Sequence, residues 1–329
     1  MTNRNDEAYN LYQRYRDYRK VVAEMGISYD AARGMASRGR RAQPGTVSEL
    51  YTVDELTQLR EENARLKAAL DDYENPLKQV GEAWKFDGDW IIVGDVHLNT
   101  MNRAWASQPP AIAARWLTGK RRLLLAGDFL NMDAFSNYES DVSSHAFSSE
   151  LAAGRDFLKT YLDTFDDIYI LMGNHDRRPG KRTKGTVKAE MVYQMIAPYS
   201  ERVHVSSWGW ATIKAHTGTW RVTHGSNYSV NTLSVASNLA QKFQQHIIGH
   251  HQHHLAIGFD RYKRYLVIDN GGLFLEDHLL YTRLDDNTMP RMVNGFTMLK
   301  GGYPTVFGPP PFTDWRQWLD NENVLEDAA

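Results

Sequence analysis

The sequence predicts an α/β layered domain preceded by an all-helical N-terminal region. Two features predict this. From about residue 85 the chain consists of short apolar runs, each ending in a polar cluster. Trp90-Ile91-Ile92-Val93 leads into Gly94-Asp95, and Arg122-Leu123-Leu124-Leu125-Ala126 into Gly127-Asp128. Ile168-Tyr169-Ile170-Leu171-Met172 leads into Gly173-Asn174, and His246-Ile247-Ile248 into Gly249-His250. Such runs read as buried strands, with helices between some of them. Polar groups then gather at the strand ends, where open α/β sheets build their sites. Ahead of that block the apolar spacing is helical.

The helical region divides in two. Residues 5–42 read as short helices: Tyr9, Leu11, Tyr12, Tyr15, Tyr18, Val21 and Val22 share a helical face. Gly26-Ile27-Ser28 interrupts it, and Tyr29 to Ser37 forms a further helix with Ser28 as N-cap. Helix, glycine turn, helix is a helix-turn-helix shape, and Arg33, Arg38, Arg40 and Arg41 at its end suit phosphate contact. A packing helix pair with a solvated basic face is the other reading. Residues 43–50 are a linker. Thr52 with Glu55 is a capping box. Leu56, Leu59, Asn63, Leu66, Leu70, Tyr73 and Leu77 then follow an a/d heptad, which Asn75-Pro76 ends or bends. Asn63 at an a position fixes two-stranded register, and Glu55–Arg60 and Glu62–Lys67 pair between parallel helices. A homodimer through residues 52–77 is expected. The domain boundaries expected are 1–45 helix-turn-helix, 46–80 coiled coil, 81–305 α/β domain, and 306–329 a Pro-rich, then acidic tail.

The chain has 329 residues, 42% hydrophobic and 24% charged, with a net charge of −2. That balance gives no global attraction to nucleic acid, so such a role needs a local patch. With no cysteine, disulfides and thiolate metal sites are excluded, and metal must be held by His, Asp and Asn. The polar start lacks the apolar segment of a secretion signal. No apolar run approaches the roughly 20 residues that span a bilayer. The expectation is a soluble, cytoplasmic protein with no membrane partner.

Each apparent strand delivers a metal-binding residue type just beyond a glycine: Gly94-Asp95-Val96-His97, Gly127-Asp128, Gly173-Asn174-His175-Asp176, His224-Gly225 after Thr223, and Gly249-His250-His251-Gln252-His253-His254. Asp95 and His97 alternate around one residue, so an extended backbone presents both to one side. Carboxylate, imidazole and amide oxygen together suit Mn2+, Fe, Zn2+ or Mg2+. Any one cluster is unremarkable as a turn; five in this order point to a metal-dependent phosphoesterase.

The order Asp-x-His, Gly-Asp, Gly-Asn-His-Asp, His-Gly and a Gly-His-rich segment resembles the calcineurin-like metallophosphoesterase superfamily, over about residues 88–275. The resemblance implies a sandwich of two β-sheets flanked by helices and two divalent metal ions, Mn2+ foremost, activating a hydroxide. It implies that Asp95 and His97 hold the first metal, Asn174 and His224 the second, with Asp128 as bridge. His175 then sits beside them as proton donor or charge stabiliser. One departure matters. The family's last motif is Gly-His-x-His, whereas here His251 and Gln252 follow His250. Either His251-x-His253 supplies the pair or His250 does so with a bulged loop; the first is preferred, because glutamine is a poor substitute for imidazole.

Protein phosphatases of this superfamily carry Gly-Asp-x-Val-Asp-Arg-Gly and Gly-Asn-His-Glu. This chain has Gly127-Asp128-Phe129-Leu130-Asn131-Met132-Asp133 and ends its third motif in Asp176. It therefore looks more like the phosphodiesterase and DNA-repair-nuclease branch, in a combination of modules resembling phage proteins. Arg177, Arg178, Lys181, Arg182, Lys184 and Lys188 follow directly, and Arg177 and Arg178 are the candidate substrate contacts, unless the run is a solvated loop. The function expected is hydrolysis of phosphodiester bonds, with nucleic acid as partner. The alternatives are a phosphomonoesterase acting on nucleotides or phosphoproteins, and a DNA-binding regulatory protein with a metal domain. Trp208, Trp210 and Trp220 are expected in the core around a hairpin at Gly218. Asn270 is read as a turn residue or a support for the histidines.

Overall fold

The computed structural model describes residues 3–42, 53–74, 81–136, 147–197, 200–276 and 292–312. The chain divides into two compact units, Met1–Gln79 and Val80–Ala329.

The first unit contains α1 (Arg4–Tyr15), α2 (Tyr18–Met25), α3 (Tyr29–Ala42) and α4 (Val53–Glu74). The apolar pattern from Tyr9 to Val22 is two helices rather than one. Arg16 takes a left-handed conformation that closes α1, and Asp17 caps α2 by accepting from the Arg19 N–H at 2.9 Å. Ser28 caps α3 as expected, its Oγ accepting from the Ala31 N–H at 3.2 Å. Ala8, Val21, Ala32 and Ala36 form the small core of α1 to α3. Four small side chains let the helices approach closely but bury little apolar area. The linker, the Thr52 cap, the Asn75-Pro76 break, Leu77, and the side chains of Leu56, Leu70 and Tyr73 lie outside the described residues.

The second unit is built on two six-stranded mixed sheets, with the short helices α5 (Arg103–Ala106) and α8 (Arg178–Arg182) among its connections. One runs β12-β11-β2-β3-β4-β5, formed by β2 (Trp90–Val93), β3 (Arg122–Ala126), β4 (Asp167–Leu171), β5 (Val203–Val205), β11 (Phe296–Lys300) and β12 (Tyr303–Phe307). The other runs β1-β6-β7-β8-β10-β9, formed by β1 (Lys85–Asp87), β6 (Trp210–Ala215), β7 (Gly218–His224), β8 (His246–His250), β9 (Leu255–Phe259) and β10 (Leu266–Asn270). β2, β3, β4 and β5 are parallel neighbours, as are β7, β8 and β10.

The period of two along each strand decides the layers. Trp90, Ile92, Leu124, Ala126 and Leu171 face inward and meet Ala211, Ile213, Trp220, Val222, Ile248 and Ile268 of the other sheet. The alternate residues Ile91, Val93, Leu123, Leu125, Ile168 and Ile170 face α6 (Gln108–Trp116), α7 (Phe147–Leu162) and α9 (Ala189–Ile196). On the outer face of the second sheet, Ile247 and Val267 cover α10 (Ser234–Phe243) through Ala236 and Ala240. Strands buried on both faces show no apolar–polar alternation, which is why their runs are continuously apolar in the sequence.

Three details differ from expectation. Trp220 is core, but Trp208 and Trp210 are half-exposed. Trp210 instead lies under the Arg221 guanidinium, 3.6 Å from the ring centre, a cation–π contact that tolerates partial exposure. Asn270 ends β10 rather than forming a turn. β12 continues through Phe307, inside the segment read as a tail. Among the described residues, no helix is long and apolar enough to cross a membrane.

Trp220 is fully buried between the sheets. Trp220→Ala should therefore lower stability by roughly 3–5 kcal/mol, read from the urea midpoint of the full chain followed by near-UV circular dichroism.

Candidate metal centre

The parallel strands place the clusters together because all of them deliver their ligands at carboxyl ends. Past those ends the β2 and β3 backbones stay paired: Asp95 N–H donates to Gly127 O at 3.0 Å and His97 N–H to Asp128 O at 3.1 Å. In the second sheet, His224 and His250 are register partners on neighbouring strands.

Two triads result. Asp95, His97 and His253 bring one ligand atom each within 4.8 Å of one another, and so do Asp128, His224 and His251. Asp95, His97, Asp128, His224 and His253 are buried, and His251 is half-buried. His251 and His253 thus enter the triads, while His250 packs its Nδ1 3.4 Å from Asp95 Oδ2. Asn270 donates to Ile92 O at 3.0 Å and lies 3.3 Å from His250 Nε2, so it supports this histidine.

The hydrogen bonds show what these atoms present. His97 Nδ1 lies 2.6 Å from Asn131 Oδ1, and His253 Nδ1 lies 3.1 Å from the Met292 sulfur. Both partners accept, so both Nδ1 atoms carry the proton and both Nε2 atoms present lone pairs. Those two Nε2 atoms are 3.1 Å apart, with Asp95 Oδ1 3.2 Å from that of His253. His224 repeats the pattern: its Nδ1 faces Gly225 O at 3.1 Å, and its Nε2 lies 3.3 Å from both Asp95 Oδ1 and Asp128 Oδ2. Electron-rich atoms converging in a buried space repel unless a cation or proton sits among them. Tying the far nitrogen of each histidine to an acceptor is also how metal-binding imidazoles are oriented. Asn174 adds an independent sign: its Oδ1 is buried and accepts no hydrogen bond. The residues present therefore fit divalent cations.

Burial and charge set the protonation of the metal-free site, where a proton on His224 Nε2 stands in for a cation. Burial works against the Asp95 carboxylate, but the charge of His253 and hydrogen bonds from His224, His250 and His253 outweigh it and hold its pKa well below the usual range. Asp128 is lowered in the same way by His224 and His175. His224 is driven well above the usual imidazole value by these two carboxylates despite its burial. Burial, then the His253 charge, pulls His97 down to about 4.

The local backbone pays for this convergence. Asp95, His97, Asp128, His251 and His253 all have positive φ, between 46° and 84°. Left-handed backbone in non-glycine residues persists only where the surroundings enforce it. The glycines before the ligands serve close approach: a Cβ at Gly173 would collide with Asp128 Oδ1, and one at Gly94 with the His250 ring.

Asp176 holds the arrangement. Its buried carboxylate accepts from the N–H groups of Asp128 and Gly173, both at 2.8 Å, and from the Tyr193 hydroxyl at 2.7 Å. Burial and the Asp128 charge raise its pKa to about 6. Its place in the third motif was visible in the sequence; its role was not. Glu150 carried no sequence signal. It reaches from α7 to accept the N–H groups of Asn131 and Met132 at 2.5 and 3.1 Å, steadying the residue that orients His97.

His175 is in neither triad. Its Nε2 is 3.9 Å from Asp128 Oδ2, and it lies 3.2 Å from Arg178 Nη2. Burial, with His97 and Arg178 adding, pulls its pKa to about 3. Its Nε2 accepts from the Arg178 guanidinium. Arg177 and Arg178, expected together on substrate, diverge. Arg178 turns toward His175, whereas Arg177 is exposed and donates to Ser207 O at 2.8 Å. Lys181, Arg182, Lys184 and Lys188 are exposed.

No family model and no curated protein match this sequence. Solved structures do match. A predicted phosphoesterase from Streptococcus pneumoniae TIGR4 is 10% identical over 69% of this chain and 95% of its own, with a TM-score of 0.32. Vacuolar Protein Sorting 29 from Cryptosporidium parvum is 12% identical over 68% and 98%, with a TM-score of 0.32. Wild-type Vps29 from Entamoeba histolytica, complexed with Zn2+, is 16% identical over 64% and 85%, with a TM-score of 0.30. The resemblance to metallophosphoesterases rests on this chain's own ligand order and its two helix-flanked sheets.

Glu150 gives a test of the support behind the site. Burial raises its carboxyl from 4.5 to about 7. The folded chain then holds a proton that the unfolded chain has released, so this contribution to stability is full below 4.5 and is lost as pH rises through about 7. Urea unfolding of the metal-free protein should weaken between about pH 5 and about pH 8. Glu150→Gln should flatten that fall by on the order of 1–3 kcal/mol.

Proposed function

We propose that this protein is a dinuclear-metal phosphodiesterase acting on nucleic acid. The observation that carries the reading is the convergence of two Asp-His-His triads, buried at all positions but His251, with the Nε2 atoms of His97, His224 and His253 turned inward. Asp95, His97 and His253 would hold one ion. Asp128, His224 and His251, with Asn174, would hold the other. Asp95 Oδ1 and Asp128 Oδ2 approach the same His224 Nε2 at 3.3 Å, so the two triads lie side by side. When bound, such ions supply Lewis acidity: they draw charge off a phosphoryl oxygen and acidify water.

The chain's own groups do the rest. Asp176 fixes the Asp128 and Gly173 backbones, so the carboxylate does not have to reorganise as charge develops. The exposed cations of 181–188 supply a basic surface after the third motif, and a nucleic-acid backbone is the polyanion proposed for it. No covalent nucleophile is called for.

The helical unit is proposed to bring two copies together. On α4, Leu59 and Leu66 are 51% and 58% exposed, one heptad apart, with Asn63 between them. A parallel second copy of the same helix would cover that stripe and pair the two asparagines.

Two outcomes are expected. Purified protein should hydrolyse bis-p-nitrophenyl phosphate faster than p-nitrophenyl phosphate, and lose this in chelator. Asp128→Ala should cut the rate at least about 10²-fold. A faster monoester would make it a phosphomonoesterase, and full activity in Asp128→Ala would refute the site. In light scattering, the full chain should be a dimer at micromolar concentration and the Leu59→Asp/Leu66→Asp variant a monomer. A monomeric wild type would remove the coiled coil.

A further inference from the structure

His175 and Arg178 form a unit that the proposed function leaves unused. Both nitrogens of the His175 ring are engaged. Nδ1 lies 3.1 Å from the Asn131 carbonyl oxygen. A carbonyl only accepts, so Nδ1 carries the proton. Nε2 lies 3.2 Å from Arg178 Nη2. A guanidinium only donates, so Nε2 presents its lone pair. Arg178 is itself fixed: Nη1 donates to the same Asn131 carbonyl at 3.1 Å and to Asp133 Oδ1 at 3.2 Å. Its side chain is 16% exposed, so these bonds are little exchanged with water. The Asn131 residue that receives both N–H groups also orients His97 through its side chain. Ring, guanidinium and triad therefore share one anchor, held in turn by Glu150.

We infer that Arg178 is a positioning residue: by donating to Nε2 it locks the neutral His175 ring in its Nδ1–H tautomer and holds Nε2 on the side of Asp128. The catalytic consequence rests on the phosphodiesterase reading: a ring held this way presents Nε2 to a phosphoryl group beside Asp128, and a ring turned over would not.

Tautomer and kinetics test this separately. Full-length protein labelled with 15N-histidine and loaded with Zn2+ gives long-range 15N–1H correlations that distinguish the two tautomers. The His175 signals are those missing in His175→Gln. The wild type should show the Nδ1–H pattern, Arg178→Lys should keep it, and Arg178→Gln should bring in the Nε2–H form. The other histidine signals, left in place, show that the variants are folded. An Nε2–H pattern in the wild type, or an unchanged pattern in Arg178→Gln, overturns the inference. With an aryl phosphodiester as substrate, Arg178→Gln should lower the rate and Arg178→Lys should recover most of it. An undiminished rate in Arg178→Gln also overturns it. If no diester is cleaved at all, the phosphodiesterase reading falls while the spectra still decide the tautomer.

Discussion

Everything in the second unit answers to the cost of holding two carboxylates and several imidazoles together out of water. Asp95, His97, Asp128, His224, His250 and His253 are all buried. Ionised carboxylates in such a place are tolerated only with charge and hydrogen-bond partners. Asp95 finds them in the His251 N–H at 3.0 Å and, in the metal-free site, in the imidazoles of His224, His250 and His253. The same crowding demands left-handed backbone at Asp95, His97, Asp128, His251 and His253 and leaves no room for a Cβ at Gly94 or Gly173. Strain of this kind costs of order 1–3 kcal/mol per residue. It survives because the sheets on either side are rigid and well packed.

The fold supplies that rigidity in a definite way. Parallel neighbours bring strand ends to a common edge, and the shared apolar layer between the sheets brings the two edges together. Asp176 then couples the loop after β3 to the loop after β4, and Tyr193 on α9 completes its hydrogen bonds. A carboxylate outside both triads thereby sets where the Asp128 carboxylate points. Asn131 does the same for His97 and, through its carbonyl, for His175 and Arg178. Pre-set geometry of this kind spares reorganisation when charge develops on a substrate.

Much of this was legible in the sequence. Buried strands announce themselves as uninterrupted apolar runs, so β2, β3, β4 and β8 and the candidate ligands at their ends could be read directly. The spacing argument for His251 and His253 selects the two histidines that enter the triads in the structure. Other features had no local signature. The break between α1 and α2 depends on one left-handed residue, Arg16, inside an otherwise continuous helical pattern. Glu150 reaches the site across sequence-distant contacts that no period reveals. Arg178 and Arg177 look equivalent in the sequence, and tertiary contacts alone turn one inward. The coupled roles of Asp176 and Asn131 depend on which backbone N–H and carbonyl groups the strand ends leave unpaired, and only the folded backbone fixes that.

The central claim is that two cations belong in this site, one per triad. The measurement that meets it most directly is anomalous diffraction from crystals grown with Mn2+ or Zn2+. The account predicts two anomalous peaks, one among Asp95, His97 and His253 and one among Asp128, His224 and His251. A single peak, or none with both triads intact, would contradict it.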